Sequence, residues 1–143
     1  MKNLFVLAVF AALLAGCQSG DEGTPGSAPT GVFDAIGEAE TIYLTGTEPF
    51  WGGEISEGSA VYSTSETPEG TRFEVERFAG NNGLGFTGTI DGVGFDVTIT
   101  PGECSDAMSD RVYPYTATLL IGEEQREGCA WTDKQPFDGP KNP

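Results

Sequence analysis

The segment from Cys104 to Tyr113 concentrates the side chains of this chain that are best suited to molecular recognition. Its polar members are Ser105, Asp106, Ser109, Asp110 and Arg111, and Tyr113 closes it. Such a loop can present hydroxyls, carboxylates and a guanidinium to a cationic or hydrogen-bonding partner. The alternative is structural, because Asp and Ser side chains in loops often bond the loop's own backbone, and Arg111 can pair with an aspartate. We predict a binding site here and keep the structural interpretation open.

A second candidate is the run Glu48-Pro49-Phe50-Trp51. Pro49 disfavours helical backbone at Glu48, so the glutamate lies in an extended or turn conformation. If Phe50 and Trp51 belong to a strand, they point to opposite faces. One of them then enters the core while the other lines a cavity or surface. Glu48 and Trp51 are therefore candidate binding residues, with a purely core role for Trp51 as the alternative.

Nucleophilic catalysis has little support in the sequence. There is no histidine to act as a base for Ser105 or Ser109, and there is no G-x-S-x-G turn. The acidic side chains around Asp106 do not follow the EF-hand spacing. We therefore expect a protein that is not an enzyme and that has no metal and no cofactor. A hydrolase that uses Glu48 with Asp106 or Asp110 is the remaining catalytic alternative.

The amino terminus carries the pattern of a bacterial lipoprotein export signal. Lys2 precedes an unbroken apolar run from Leu4 to Leu14, and the run ends in the lipobox Leu14-Ala15-Gly16-Cys17. The run is too short for a transmembrane helix, which needs ~20 apolar residues. We predict a signal peptide over residues 1–16 and acylation of Cys17, including palmitate, which anchors the protein in a membrane.

Residue 18 bears on the membrane in which the protein lies, and the overall charge bears on the kind of partner it can bind. Gln18 stands where an aspartate retains some bacterial lipoproteins at the inner membrane, so we predict the outer membrane, with the domain facing the periplasm. The chain has a formal charge of −15, and loss of Lys2 with the signal makes it one unit more negative. Such a protein repels nucleic acids and anionic lipids and attracts cationic proteins or peptides. Solubility, or adaptation to a salty habitat, is the plainer explanation of the same charge.

The cysteines fit an exported protein. With Cys17 acylated, Cys104 and Cys129 remain as a pair in an oxidising compartment, and we predict a disulfide between them. A metal or redox pair is less favoured, because the chain has no C-x-x-C motif and no histidine.

The elements that must position these residues are β-strands. Short β-prone runs alternate with turn residues, which predicts an all-β domain over residues 41–132, a small antiparallel barrel or sandwich of about eight strands with one disulfide. The clearest hairpin runs from Leu84 to Thr100 around Asp91-Gly92, a strong type I′ turn signal. We predict that residues 17–40 comprise the lipidated cysteine and a flexible tether. We predict that residues 133–143 form a disordered tail.

Three segments resemble a signature of uncharacterised bacterial envelope lipoproteins. They are the sequence TGTEPFW at residues 45–51, the segment from Cys104 to Ala117, and Gly128-Cys129-Ala130. The resemblance implies an exported β domain and implies no reaction. The layout is also similar to the membrane-bound lysozyme inhibitors, which are short lipoproteins with a small barrel, although their inhibitory loop has no counterpart here.

We expect a non-enzymatic binding module of the envelope that is anchored by its lipid. One alternative is an inhibitor or sequestering agent of a cationic antibacterial protein such as lysozyme, which the net charge favours. The carboxylate-based hydrolase and a purely structural envelope component remain as further alternatives.

Overall fold

The computed structural model describes residues 31–142, which form a closed antiparallel β-barrel. Its strands are β1 (Ile42–Thr47), β2 (Phe50–Ser56), β3 (Ser59–Thr64), β4 (Thr71–Ala79), β5 (Leu84–Ile90), β6 (Val93–Ser105), β7 (Val112–Ile121) and β8 (Glu124–Thr132). They pair in chain order, and β8 pairs with β1. The all-β prediction is confirmed, and the closing pair makes the sheet a barrel. The predicted signal peptide and Cys17 lie outside the described residues.

The hairpin of β5 and β6 has the predicted register. Ile90 pairs with Val93 and Leu84 pairs with Ile99. Asp91 and Gly92 have φ angles of 51° and 79°, as a type I′ turn requires at both central positions. The turn and the alternating apolar side chains therefore select the same pairing.

The barrel is filled by side chains from alternate positions of its strands. The most deeply buried strand residues, all at 0–1% exposure, include Leu84, Phe95, Val97, Ile99, Ala117 and Leu119. Each large apolar side chain buried in this way contributes about 1.5–3 kcal/mol. The interior is thus a packed core that holds the strand ends, where the candidate residues lie, in fixed positions.

The described segments before β1 and after β8 pack on the barrel, which differs from the predicted domain boundaries. Ile36, in the predicted tether, is 1% exposed and belongs to the core cluster. Phe137, in the predicted disordered tail, packs edge-on against Trp131 with ring centroids 5.6 Å apart. A few apolar side chains in a polar, Gly-rich or Pro-rich stretch produce no strand or helix periodicity. The folded unit therefore extends beyond residues 41–132 on both sides.

The end of the long strand β6 departs from regular pairing and leads into the Cys104–Tyr113 loop. Its register against β7 shifts between Pro101 and Cys104, and Cys104 is disulfide-bonded to Cys129 of β8. The predicted disulfide is confirmed. Since Ala130 faces the core, Cys129 must face the outer surface of the sheet, yet it is only 1% exposed. The Cys104–Tyr113 loop therefore covers the outer face of the barrel at this point.

Across residues 31–142 there is no helix with the length and apolar character needed to cross a membrane.

Candidate functional site

Residues 45–51, 104–117 and 128–130 meet at one place on the barrel. The disulfide joins Cys104 to Cys129, and the Thr47 hydroxyl donates a hydrogen bond to the Asp106 carbonyl at 3.1 Å. Between the β1–β2 turn and the Cys104–Tyr113 loop lies a groove of about 510 Å³. We call it the acidic groove. Its polar lining includes Thr45, Glu48, Ser105, Asp106, Gln125 and Glu127.

Glu48 stands at the edge of this groove on a two-residue turn. Thr47 pairs with Phe50 across the turn, and the Glu48–Pro49 peptide is cis. The Glu48 side chain is exposed. The structure thus brings Glu48 into the same groove as Ser105 and Asp106, although the sequence predicts the Glu48–Trp51 run and the Cys104–Tyr113 loop as two binding candidates.

Asp106 organises the loop on which it lies. One carboxylate oxygen accepts hydrogen bonds from the backbone N–H groups of Met108 (3.0 Å) and Ser109 (2.8 Å). The other accepts from the Ser109 hydroxyl at 2.7 Å and from the Tyr113 hydroxyl at 3.0 Å. These contacts agree with the structural alternative, in which the loop's side chains bond its own backbone.

The same contacts set the ionisation of Asp106. Burial raises the pKa of this carboxyl, but the hydrogen bonds from Ser109, Met108 and Tyr113 outweigh burial and lower the pKa from 3.8 to about 2. Asp106 is therefore a carboxylate throughout the neutral range, with both oxygens engaged. It supplies negative charge and loop rigidity, and it is a poor proton donor.

Asp106→Asn is expected to lower the free energy of unfolding by about 1–2 kcal/mol at pH 7, because an amide cannot accept four charge-assisted hydrogen bonds. The folded-state pKa is depressed, so the contribution of Asp106 is present above pH 3.8 and is lost as the pH falls toward 2. Urea unfolding of the two proteins from pH 7 to pH 2 should show their stabilities converging in that interval.

Asp110→Asn is the matched control, because Asp110 is exposed and forms no side-chain hydrogen bond within residues 31–142. It should change stability by less than about 0.5 kcal/mol. Equal effects of the two substitutions would contradict the structural role of Asp106.

Arg111 and Tyr113 are engaged by the carboxyl-terminal segment, and this differs from the predicted presentation to a partner. The Arg111 guanidinium lies 4.5 Å from the ring centre of Phe137, and its Nε donates to the Pro140 carbonyl at 2.8 Å. Within the described part of the chain Arg111 forms no ion pair with an aspartate. Tyr113 is 2% exposed and packs between Trp131 and Phe137. Both side chains therefore attach the loop to the carboxyl-terminal segment.

Trp51 occupies the barrel interior, as the core alternative predicts. It is 4% exposed, and its indole Nε1 donates to the Glu127 carbonyl at 3.3 Å. Since β2 and β8 are separated by β1, the indole reaches across Gly46 to make this bond. Trp51 therefore supports the floor beneath the acidic groove, and the exposed aromatic side chain of this pair is Phe50 at 54%.

Comparison with protein-family models, with curated proteins and with solved structures gives no match.

Within residues 31–142, no group of three or more Asp, Glu, Cys or His side chains has a geometry that could hold a metal ion.

Sequence reasoning missed the contribution of β8 to the groove. Gln125 and Glu127 line it beside Cys129, and Glu127 accepts hydrogen bonds from Gln125 Nε2 at 2.6 Å and from the Thr118 hydroxyl. A signal was available, because Glu127 lies two residues before Cys129 and must share its face of the strand. Once the disulfide is assigned, Glu127 is expected to flank the loop.

Proposed function

We propose that this chain is a non-enzymatic, lipid-anchored binding module of the bacterial envelope, and that the acidic groove receives a cationic segment of a protein or peptide. The observation that carries the proposal is the convergence of Glu48, Glu127 and the Cys104–Tyr113 loop on one concave surface. The loop is braced by the disulfide, by Asp106 and by the carboxyl-terminal segment. A braced surface loses little conformational entropy on binding.

The charge distribution favours a cationic partner. Among the described residues, no lysine or arginine lines the groove, while Glu48 and Glu127 border it with exposed carboxylates. The basic side chains that lie nearest in sequence have other contacts: Arg111 with Phe137 and Arg126 with Glu124. An uncompensated negative concavity concentrates positive charge and speeds the association of a cationic partner.

The state of Asp106 favours binding over the hydrolase alternative. That alternative needs Glu48 in one cleft with Asp106 or Asp110. Glu48 and Asp106 both line the acidic groove, whereas Asp110 lies outside its lining. However, both oxygens of Asp106 are occupied by hydrogen bonds and its pKa is about 2. Such a carboxyl does not act as a general acid near neutral pH, because a useful catalytic pKa lies near the operating pH.

The test uses the chain from residue 17 onward in a Cys17→Ser form, with a pentalysine peptide as the probe. At low salt, replacing Glu48→Gln and Glu127→Gln together should weaken binding about fivefold, since each exposed charge contributes roughly 0.2–1 kcal/mol. The expected loss shrinks at high salt because exposed charges are screened. Isothermal titration calorimetry at two salt concentrations measures both effects.

The matched control is Glu76→Gln with Asp96→Asn, which removes the same charge from exposed positions on β4 and β6. Neither Glu76 nor Asp96 lines the acidic groove, and β4 lies on the far side of the barrel from the pairing of β8 with β1. Removal of these two charges should weaken pentalysine binding less than twofold. Equal weakening by both double variants would mean that the peptide responds only to net charge, and the proposed function would fail.

A further inference from the structure

The end of the barrel formed by the β3–β4, β5–β6 and β7–β8 turns holds a cavity separate from the acidic groove. Its volume is about 330 Å³, within the range of small-molecule sites, which starts near 300 Å³. The opposite end is covered by the segment around Ile36, whose carbonyl accepts a hydrogen bond from Arg77 at 2.7 Å. We call the uncovered end the barrel mouth.

An arginine reaches into the barrel mouth. Arg126 of β8 donates from Nη1 to the hydroxyl of Tyr62 on β3. Strands β8 and β3 are separated by β1 and β2, so this bond crosses the lumen. The Arg126 side chain is only 15% exposed. A positive charge at such a position is costly unless a negative group satisfies it.

The floor of the barrel mouth is rigid. The ring of Tyr62 lies between those of Trp51 and Phe95, with centroid separations of 6.3 Å and 5.7 Å. Tyr62 is 6% exposed and Phe95 is 1% exposed. The three aromatic rings close the lumen below the cavity and hold the Tyr62 hydroxyl beside Arg126. The cavity is therefore a preformed cup with two hydrogen-bond donors at one side.

The negative partner of Arg126 is Glu124, whose exposed side chain can move away from the guanidinium into water. Glu124, at the β7–β8 turn, accepts from Arg126 Nε at 3.0 Å and from Nη2 at 3.1 Å. Its side chain is 56% exposed, so moving it into water uncovers little apolar surface. The two-point geometry is the one in which arginine recognises any carboxylate. Glu124 therefore occupies the position that the carboxylate of a ligand would take.

The remaining wall combines an apolar side with polar groups. Ile90, Val93 and Ile121 form the apolar side. The polar groups are the hydroxyls of Thr64, Thr67 and Thr71 and the exposed carboxylate of Asp91 at the rim. Val93 is 42% exposed, although it begins a strand in which Phe95 and Val97 are fully buried. An alkyl chain resting on these three apolar side chains would shield them from water. The cup thus combines an arginine fork with a short apolar surface.

We propose that the barrel mouth binds a small amphipathic carboxylate, whose charged group displaces Glu124 from Arg126 and whose alkyl chain covers Ile90, Val93 and Ile121. This site is independent of the acidic groove and prefers the opposite charge. An anion would have to bind against the net charge of −15, so selectivity for an anion cannot come from overall attraction. It must come from Arg126 itself.

The test compares octanoate, octyltrimethylammonium and 1-octanol as probes of one chain length and three charges. The protein is again the chain from residue 17 in the Cys17→Ser form, and titration calorimetry measures binding. Octanoate should bind most tightly. Glu124→Gln should strengthen octanoate binding severalfold because the internal competitor is lost. Arg126→Gln should weaken it about tenfold or more, as expected for a lost charge-assisted hydrogen-bond pair.

Glu123→Gln is the matched control, because Glu123 belongs to the same turn, is exposed and lies outside the cavity lining. It changes the net charge equally and should alter octanoate binding less than twofold. Thermal unfolding checks that each variant folds. If Arg126→Gln fails to fold, the comparison of Glu124→Gln with Glu123→Gln still tests the proposal. Absence of octanoate binding at millimolar concentration, equal binding of octyltrimethylammonium, or equal effects of the two glutamate variants would each overturn the proposal.

Discussion

Gly46→Ala is expected to destabilise the barrel by about 3 kcal/mol or more, at the upper end of overpacking effects. A Cβ atom at position 46 would lie 1.9 Å from Nε1 of Trp51. The indole cannot retreat easily, because it is 4% exposed and bonded to the Glu127 carbonyl. The substitution forces either Trp51 or strand β1 to move. Urea unfolding monitored by far-ultraviolet circular dichroism measures the loss.

Gly94→Ala is the matched control for this prediction. Gly94 also lies in a strand, but a Cβ atom there meets nothing within 4 Å, so the cost should stay below about 1 kcal/mol. Gly46→Ala combined with Trp51→Leu should be less destabilising than the sum of the two single substitutions, since the second removes the group that the first strikes. Strict additivity, or equal effects at Gly46 and Gly94, would contradict this packing.

Removal of the disulfide, by Cys104→Ala with Cys129→Ala, should lower the free energy of unfolding by about 3–4 kcal/mol in the chain-entropy model. The bond closes a loop with a sequence separation of 25. It is also the covalent attachment of the Cys104–Tyr113 loop to β8, so the acidic groove should lose its shape together with stability. Chemical denaturation and pentalysine titration of the same variant measure the two consequences.

The Cys17→Ser form with its disulfide intact is the reference for this experiment, because Cys17 is not part of the bond. The barrel is closed by backbone pairing of β1 with β8, which does not depend on the sulfur atoms, so the variant is expected to keep the barrel. A loss below about 1 kcal/mol with unchanged pentalysine affinity would show that the other contacts suffice to hold the loop.

Local pattern was enough to predict the part of the fold that depends on neighbouring residues. The turn residues Asp91 and Gly92 and the alternation on either side of them fix the pairing of Leu84 with Ile99, because both signals are read within one short stretch. The disulfide was predictable for another reason, since counting cysteines left a single pair. Closure of the barrel depends on β1 and β8, at opposite ends of the domain, and local pattern carries no signal for that pairing.

Contacts between distant segments could not be predicted in the same way. Ile36 and Phe137 lie in mostly polar stretches without a strand or helix pattern, and only the finished barrel gives them a surface to cover. The bond between Arg126 and Tyr62 crosses the lumen between strands that are not neighbours. For the acidic groove, sequence reasoning identified Glu48 and the loop separately. Their meeting follows from the closing pair β1–β8, which places the β1–β2 turn beside Cys129.

The acidic groove is proposed to be a specific binding surface, and the most direct test is to map a bound cationic peptide residue by residue. Pentalysine should be titrated into the ¹⁵N-labelled protein at moderate salt while backbone amide shifts are recorded. The proposed function predicts shifts concentrated at Thr47, Ser105 and Gly128, which line the groove. Shifts spread evenly over acidic positions such as Glu76 and Asp96, or no shifts at all, would contradict it.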